Sequence, residues 1–146
     1  MIGKFKFGTD GSFSEAAVFK NFGSYYHQNL KKEIFEMNGP EILNFALREV
    51  PTLIKSYTKK NKINLKSIDY FLFHQANEFI IRSLQEKIGI PNHKIIVTMK
   101  KTGNTVSSSI PLALNASSKK IPNKSKVLLV GFGGGLSWGV TLVNKV

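Results

Sequence analysis

Three short apolar runs, separated by segments of helical periodicity, constrain the fold of this chain most. The runs are residues 68–73, 95–98 and 127–130, and each is too short for a helix and is bounded by polar or turn-forming residues. Apolar residues recur at intervals of three and four over residues 38–60 and 77–87, which predicts amphipathic helices there. Strands that alternate with helices predict an α/β fold, with a mixed and mostly parallel sheet that carries helices on both faces.

The remaining segments extend this prediction to both ends of the chain. Residues 4–8 alternate like a short strand, and residues 137–143 are typical of a final strand that returns antiparallel after a glycine-rich turn, as a hairpin. Residues 14–32 are poorly patterned, and residues 100–104 indicate a polar turn. Proline inside a helix removes a hydrogen bond, so Pro51 predicts a kink in the first helix and Pro111 a kink or early break in a later one.

Length and composition narrow the class of protein. The 146 residues make one domain, 1–146, and contain no cysteine, which excludes disulfides, thiolate metal sites and a thiol nucleophile within this sequence. No apolar run approaches the about 18 residues of a membrane span, and the N-terminus has no signal-peptide block. These features predict a cytoplasmic protein without a membrane partner.

The formal net charge of +12 suggests an anionic partner. Nucleic acid is the weakest candidate, because all but two of the basic residues are lysines and base reading relies on the arginine fork. The lysines fall in short runs near predicted element ends. Solvated loop charge and an acidic protein surface are the two stronger interpretations, and nucleic acid is the third.

Three polar clusters follow predicted strands, at residues 74–77, 103–105 and 131–135. Each has an ordinary structural explanation, as a buried histidine, a turn and a hairpin, but the carboxyl ends of strands are where α/β sheets gather ligands. His74 and Asn104 are neutral hydrogen-bond donors, and two donors converging on one carbonyl oxygen would stabilise an enolate. Consecutive glycines would let a backbone N–H approach a second oxyanion.

The same clusters resemble a known family. His74-Gln75-Ala76-Asn77, Gly103-Asn104-Thr105 and Gly131-Phe132-Gly133-Gly134-Gly135 resemble, in this order, the C-terminal half of the beta-ketoacyl-acyl-carrier-protein synthase III family of thiolase-like enzymes. Gly8 to Ser12 and Met37-Asn38-Gly39 extend the resemblance over essentially the whole chain. The resemblance implies that His74 and Asn104 belong to a Cys-His-Asn catalytic set and that Gly134 contributes a backbone donor to the oxyanion hole. The cysteine would lie in an N-terminal half that this sequence lacks.

The resemblance also implies the reaction and the partners. It is a decarboxylative Claisen condensation of acyl-CoA with malonyl-acyl-carrier protein, with no covalently bound cofactor and no metal. Acyl carrier protein, a Cys-bearing half and a second copy of the chain are the expected partners. The chain alone is expected to be inactive, and a non-catalytic module that binds acyl carrier protein is the alternative.

Some positions depart from the family pattern near the expected substrate tunnel. Pro40 and Leu43 replace a polar and an aromatic residue, and Phe79 replaces an arginine that serves the cofactor phosphate or carrier surface. Arg82, one helical turn later, either takes over that contact, while Phe79 packs against the pantetheine arm or fills core, or is an ordinary solvated helix charge. The candidate substrate and carrier contacts are Gly39, Pro40, Leu43, Ala76, Asn77, Phe79, Arg82 and Phe132.

Overall fold

The computed structural model describes residues 1–20 and 34–146. Most of the poorly patterned segment 14–32 therefore lies outside the described residues. Six strands are described: β1 (Ile2–Thr9), β2 (Ala17–Lys20), β3 (Ile34–Met37), β4 (Tyr70–Phe73), β5 (Lys126–Gly133) and β6 (Ser137–Asn144). Four α-helices accompany them: α1 (Gly39–Lys60), α2 (Glu78–Ile88), α3 (Met99–Thr102) and α4 (Ser109–Ser117). Short 3-10 turns cover Gly11–Ala16, Leu65–Ser67, Asn92–Lys94 and Val106–Ser108.

Four strands form the main sheet, in the order β1-β6-β5-β4. β4 and β5 are parallel, whereas β6 is antiparallel to both β5 and β1, and β2 and β3 form a separate antiparallel pair. The α/β class, the mixed sheet and the antiparallel hairpin strand are confirmed. The sheet is less parallel than predicted, because β4 with β5 is the one parallel strand pair among the described residues.

The strand predicted at residues 95–98 is wrong. Only Ile95 forms a bridge, parallel to Phe71, and the Ile96 N–H donates to the Phe71 carbonyl oxygen at 2.9 Å. Beyond this point the Thr98 N–H donates to the side-chain Oε1 of Gln75 at 2.8 Å, so a side chain takes the place of a strand partner. The segment therefore follows the edge of β4 without continuing the ladder.

Helices cover both faces of the sheet, as predicted. Side chains alternate along β4, so Phe71 and Phe73 join the core beneath α1 and α2, whereas Leu72 packs with Ala113 of α4. The larger core is built on α1, whose buried residues include Ala46 and Val50. The two cores together hold β4 and β5 between the two helical layers.

Helix ends follow local signals. The Asn38 side chain caps α1 by accepting the Glu41 N–H at 3.2 Å, and the helix continues through Pro51 to Lys60. Pro111 does not break its helix, because α4 begins at Ser109 and the first-turn N–H groups have no intrahelical partner to lose. The predicted polar turn 100–104 instead overlaps the one-turn helix α3, which begins at Met99.

One part of the sheet has no helix over it. Phe5 and Phe7 stack with ring centroids 5.6 Å apart and remain 57% and 73% exposed. They border an open groove of about 770 Å³ over β6 and β5, which Ile110 of α4 also lines. Its lining is mainly apolar and includes Phe132 and Gly134. No helix in the described parts of the chain is both long and apolar enough to cross a membrane.

Candidate active site

His74 stands at the carboxyl end of β4. Its N–H donates to the Val130 carbonyl oxygen at 2.8 Å, which continues the parallel pairing by one residue beyond the strand. The half-buried imidazole contacts the hydroxyl of Ser109, with 2.6 Å between Nδ1 and Oγ, and meets the Phe132 ring edge-on at a centroid distance of 5.6 Å. Two elements, α4 and β5, therefore hold the imidazole ring from different sides.

Burial sets the charge of this histidine. Removal from water penalises the imidazolium, so burial lowers the pKa of His74 below its ordinary value. The side chain is neutral at neutral pH, with one ring nitrogen that donates a hydrogen bond and one that accepts. A neutral imidazole protonated on the nitrogen that faces the substrate can donate a hydrogen bond to an enolate oxygen.

Asn104 lies in the connection between α3 and α4. Gly103, with a φ of 63°, ends α3, and the Asn104 side-chain oxygen accepts the Val106 N–H at 2.9 Å. This bond fixes the amide with its oxygen turned to the backbone. Among the described residues its NH₂ group has no hydrogen-bond acceptor, so this group is available to donate.

Gln75 joins the two parts of the site. This fully buried residue directly follows His74, and its Nε2 donates to the Phe73 carbonyl oxygen at 2.8 Å while its Oε1 accepts the Thr98 N–H at the same distance. Thr98 immediately precedes α3, which leads into Asn104. The amide therefore anchors the Asn104 connection to the end of β4.

The glycine cluster forms the turn between β5 and β6. Phe132 and Gly133 belong to β5, so the turn is shorter than predicted. Backbone bonds between Asp10 and Leu136, at 2.8 and 2.9 Å, tie the turn to the end of β1. A side chain at Gly134 would meet no atom within 4 Å, so the backbone of this residue is open to an approaching group.

Not all predicted catalytic residues are in contact. Ser109 and Phe132 both contact His74, and Gly134 lines the same groove as Phe132. Asn104 precedes Ser109 by five residues, through the Val106–Ser108 turn, and no hydrogen bond joins it to His74 among the described residues. Joint action of His74 and Asn104 therefore remains a prediction.

The candidate contacts around the start of α1 and α2 have structural roles in this fold. Asn77 caps α2 by accepting the Ile80 N–H at 2.7 Å, and Leu43 and Ala76 pack against the main core. Gly39 begins α1, and Pro40 lines a shallow depression with Phe13 and Arg48 among its neighbours. A substrate role for these residues remains a prediction.

The structure excludes one of the two roles predicted for Phe79, that of filling core. Phe79 is 67% exposed and does not fill core, because the inward face of α2 is taken by Ile80, Ile81 and Leu84. The Arg82 guanidinium donates to Gln85 Oε1 at 2.9 Å and to Glu78 Oε1 at 3.4 Å. It also borders a cleft of about 360 Å³, together with Lys100, Lys101 and Lys120.

Two site residues received no role from sequence reasoning, Ser109 and Gln75. A signal for Ser109 was present, since Ser109, Ala113 and Ser117 recur every four residues and all are buried. This small-residue stripe predicts close packing of the helix, and that packing places Ser109 against His74. No comparable signal marks Gln75, whose shortest hydrogen bonds, at 2.8 Å, join it to backbone groups.

The α/β fold with its mixed sheet is of the thiolase-like class, as comparisons with known proteins show. Residues 58–145 match the family model of the 3-oxoacyl-[acyl-carrier-protein (ACP)] synthase III C terminal. The beta-ketoacyl-[acyl-carrier-protein] synthase III of Lactococcus lactis subsp. cremoris is 38% identical over 125 residues, 83% of this chain and 37% of its own length. A synthase of the same name from Prochlorococcus marinus is 36% identical over 147 residues, 94% of this chain and 44% of its own length.

Solved structures give the same result. A 3-oxoacyl-(acyl-carrier-protein) synthase III crystal structure superposes with a TM-score of 0.87 and 35% identity, over 98% of this chain and 47% of that chain. The Thermus thermophilus enzyme also superposes with a TM-score of 0.87, at 30% identity, over 99% of this chain and 46% of that chain. The chain belongs to the 3-oxoacyl-[acyl-carrier-protein] synthase III family and corresponds to its C-terminal part. It spans less than half the length of these relatives, and the predicted family is confirmed.

Proposed function

We propose that this chain supplies the decarboxylating half of a 3-oxoacyl-acyl-carrier-protein synthase III-like enzyme. The observation that carries the proposal is the neutral, half-buried His74, held by Ser109 and Phe132 at the end of a strand beside the glycine turn. The synthase names of the relatives support the reaction class. The proposed substrates are acyl-CoA and malonyl-acyl-carrier protein.

The proposed chemistry divides into two steps. When the malonyl thioester loses carbon dioxide, the electron pair of the broken carbon–carbon bond forms an enolate, and His74 and Asn104 would donate hydrogen bonds to its oxygen. The enolate carbon then attacks the acyl thioester carried on a cysteine, and the thiolate leaves. The Gly134 N–H would hold the oxyanion of that second step.

The nucleophile must come from outside this sequence, which contains no cysteine. The groove beside α4 is the proposed binding site of the complementary, Cys-bearing half, because it is apolar and open and is lined by Phe132 and Gly134. The relatives are more than twice as long as the part that this chain covers. The Thr105 hydroxyl oxygen is also buried without a partner among the described residues, and the second half or the substrate would satisfy it.

A reconstitution assay tests the catalytic assignment. The chain alone should give no condensation product, and mixing it with a Cys-bearing half from a relative should restore condensation. His74→Ala and Asn104→Ala should each slow malonyl decarboxylation about 100- to 1000-fold, with less effect on acylation of the cysteine. His93→Ala and Asn115→Ala, which alter exposed residues of the same types, are the matched controls. Near-normal decarboxylation in either site variant would overturn the assignment.

A surface variant tests the groove. Phe7→Lys places a charge in the groove at a side chain that is already 73% exposed, so the isolated fold should tolerate it. We expect weaker binding of the Cys-bearing half and less self-association in sedimentation experiments. Phe79→Lys alters a similarly exposed phenylalanine on α2, outside the groove lining, and should leave both unchanged. Equal behaviour of the two variants would argue against the groove.

The basic cleft favours a second candidate function, a non-catalytic module that binds acyl carrier protein. Arg82, Lys100, Lys101 and Lys120 surround it with Glu78 as the one acidic residue of its lining. Arg82→Ala should weaken carrier binding severalfold at low salt, with a difference that shrinks as salt rises, whereas Lys59→Ala should not. Carrier binding that persists while every reconstituted mixture stays inactive would favour this second function.

A further inference from the structure

Ser109 is the buried residue that contacts His74 most closely. It is the first residue of α4 and only 2% exposed. Its Oγ lies 2.6 Å from His74 Nδ1 and 3.4 Å from the backbone nitrogen of Gln75. The same hydroxyl therefore faces one ring nitrogen and one backbone N–H.

Counting partners favours one direction for the serine hydroxyl proton, because a protonated Nδ1 would leave this proton without an acceptor among the described residues. The Gln75 N–H can only donate, so Ser109 Oγ accepts from it. The hydroxyl has a single proton, and His74 Nδ1 is its one hydrogen-bond acceptor among the described residues. When Ser109 donates to Nδ1, that nitrogen carries no proton, and the proton of the neutral ring is on Nε2.

We propose that Ser109 is a positioning residue that holds His74 in the tautomer protonated at Nε2, so that this nitrogen donates to the substrate oxygen. This inference rests on the proposed function for the identity of the substrate oxygen, but the tautomer itself is a property of this chain. Phe132, with its ring at 88° to the imidazole, restricts the ring plane from the other side. Ser109 does not itself act on the substrate.

The opposite tautomer would disable the proposed donor. With the proton on Nδ1, the imidazole would donate to Ser109 and would present an unprotonated Nε2. Nε2 would then repel an enolate oxygen instead of donating to it. Burial of His74 supports the same arrangement, because it keeps the ring neutral. A neutral ring carries a single proton, and the hydroxyl then decides which of the two nitrogens holds it.

The tautomer can be measured on this chain without a second half. Nitrogen-15 NMR of histidine-labelled protein distinguishes protonated from unprotonated ring nitrogens, and the His74 signals are those missing from His74→Gln. We expect a protonated Nε2 and an unprotonated Nδ1 in the wild type. A protonated Nδ1 at neutral pH would overturn the proposal, whatever the activity of any reconstituted enzyme.

Variants then test whether Ser109 is the cause. Ser109→Ala should mix the two tautomers and shift both nitrogen signals toward intermediate values, and Ser109→Thr, which keeps the hydroxyl, should restore them. Ser108→Ala removes an exposed neighbouring hydroxyl and should change nothing. A wild-type tautomer in a folded Ser109→Ala protein would overturn the proposal. If that variant does not fold, the wild-type spectrum still tests which ring nitrogen of His74 carries the proton.

Reconstituted enzyme separates this inference from the proposed function. Ser109→Ala should lower kcat for decarboxylation, with KM for malonyl-carrier protein unchanged and with recovery in Ser109→Thr. Full activity of His74→Ala would contradict the proposed function and leave the measured tautomer standing. Full activity of Ser109→Ala beside an inactive His74→Ala would contradict the role of Ser109 alone.

Discussion

Replacing Gln75 with methionine would test how the end of β4 is joined to the Asn104 connection. Methionine keeps the length and approximate volume of this fully buried side chain and removes its amide. The change deletes two hydrogen bonds of 2.8 Å, to the Phe73 carbonyl oxygen and from the Thr98 N–H, and leaves both backbone groups without these partners. Each orphaned buried group costs about 1–3 kcal/mol, so the free energy of unfolding should fall by about 2–6 kcal/mol.

Urea denaturation followed by circular dichroism would measure the loss, and hydrogen exchange would locate it. We expect faster exchange in residues 95–104, because Thr98 loses its anchor there. Gln85→Met is the matched control, since Gln85 is 6% exposed and its Nε2 donates to the Ile90 carbonyl oxygen at 3.0 Å and to Asn92 Oδ1 at 2.6 Å. Its loss of protection should be confined to the end of α2 and the turn that follows.

Two results would refute this reasoning. A free energy of unfolding for Gln75→Met within about 0.5 kcal/mol of the wild type would place the effect in the range of neutral surface changes. Unchanged exchange across residues 95–104 would show that the amide does not hold the connection, even if the protein were less stable.

Two further predictions concern the sheet and the site histidine. The Tyr57 hydroxyl donates to the Lys4 carbonyl oxygen at 2.9 Å and accepts the Leu142 N–H at 3.1 Å, where the pairing of β1 with β6 is irregular. Tyr57→Phe should therefore lower the free energy of unfolding by about 1–3 kcal/mol. Urea denaturation would measure this loss, with Tyr70→Phe as the control, because the Tyr70 hydroxyl makes no hydrogen bond among the described residues. Equal losses of unfolding free energy in the two variants would contradict this interpretation. Because burial lowers the pKa of folded His74, the unfolded chain binds the proton first, and stability should fall as pH drops below about 6.5. His74→Gln should flatten this part of the profile in pH-dependent melts, and an unchanged slope would contradict the assignment.

The sequence predicted best the elements whose signals are local. Apolar residues at helical spacing predicted α1 over 38–60, and its bounds agree with the structure to within a residue. The same spacing predicted α2 over 77–87, again to within a residue, and in the structure the Asn77 side chain caps its start and left-handed Gly89 ends it. Each signal acts within one or two turns, so the pattern alone sufficed.

Predictions failed where a distant group decided the outcome. Residues 95–98 have the composition of a strand, but the hydrogen-bond partner of Thr98 is the side chain of Gln75, 23 residues earlier. Ser109 has a still more distant partner in His74, 35 residues away. Side-chain partners of this kind depend on how the layers meet, which hydrophobic periodicity does not specify. The family resemblance named His74 and Asn104 but could not show what holds them.

The partners of His74 also bear on how the two chemical steps could be divided between two polypeptides. Ser109 and Phe132, which hold its ring, and Val130, which accepts its backbone N–H, all belong to this chain and to elements packed in its two cores. All of these contacts are made within this chain alone, so the imidazole is held without a second half. The groove, by contrast, is open and mainly apolar, and Phe132 and Gly134 are among its lining residues. We infer that a complementary half would bring the nucleophile to a donor site already built, and that binding of the halves and positioning of the donor are separable properties.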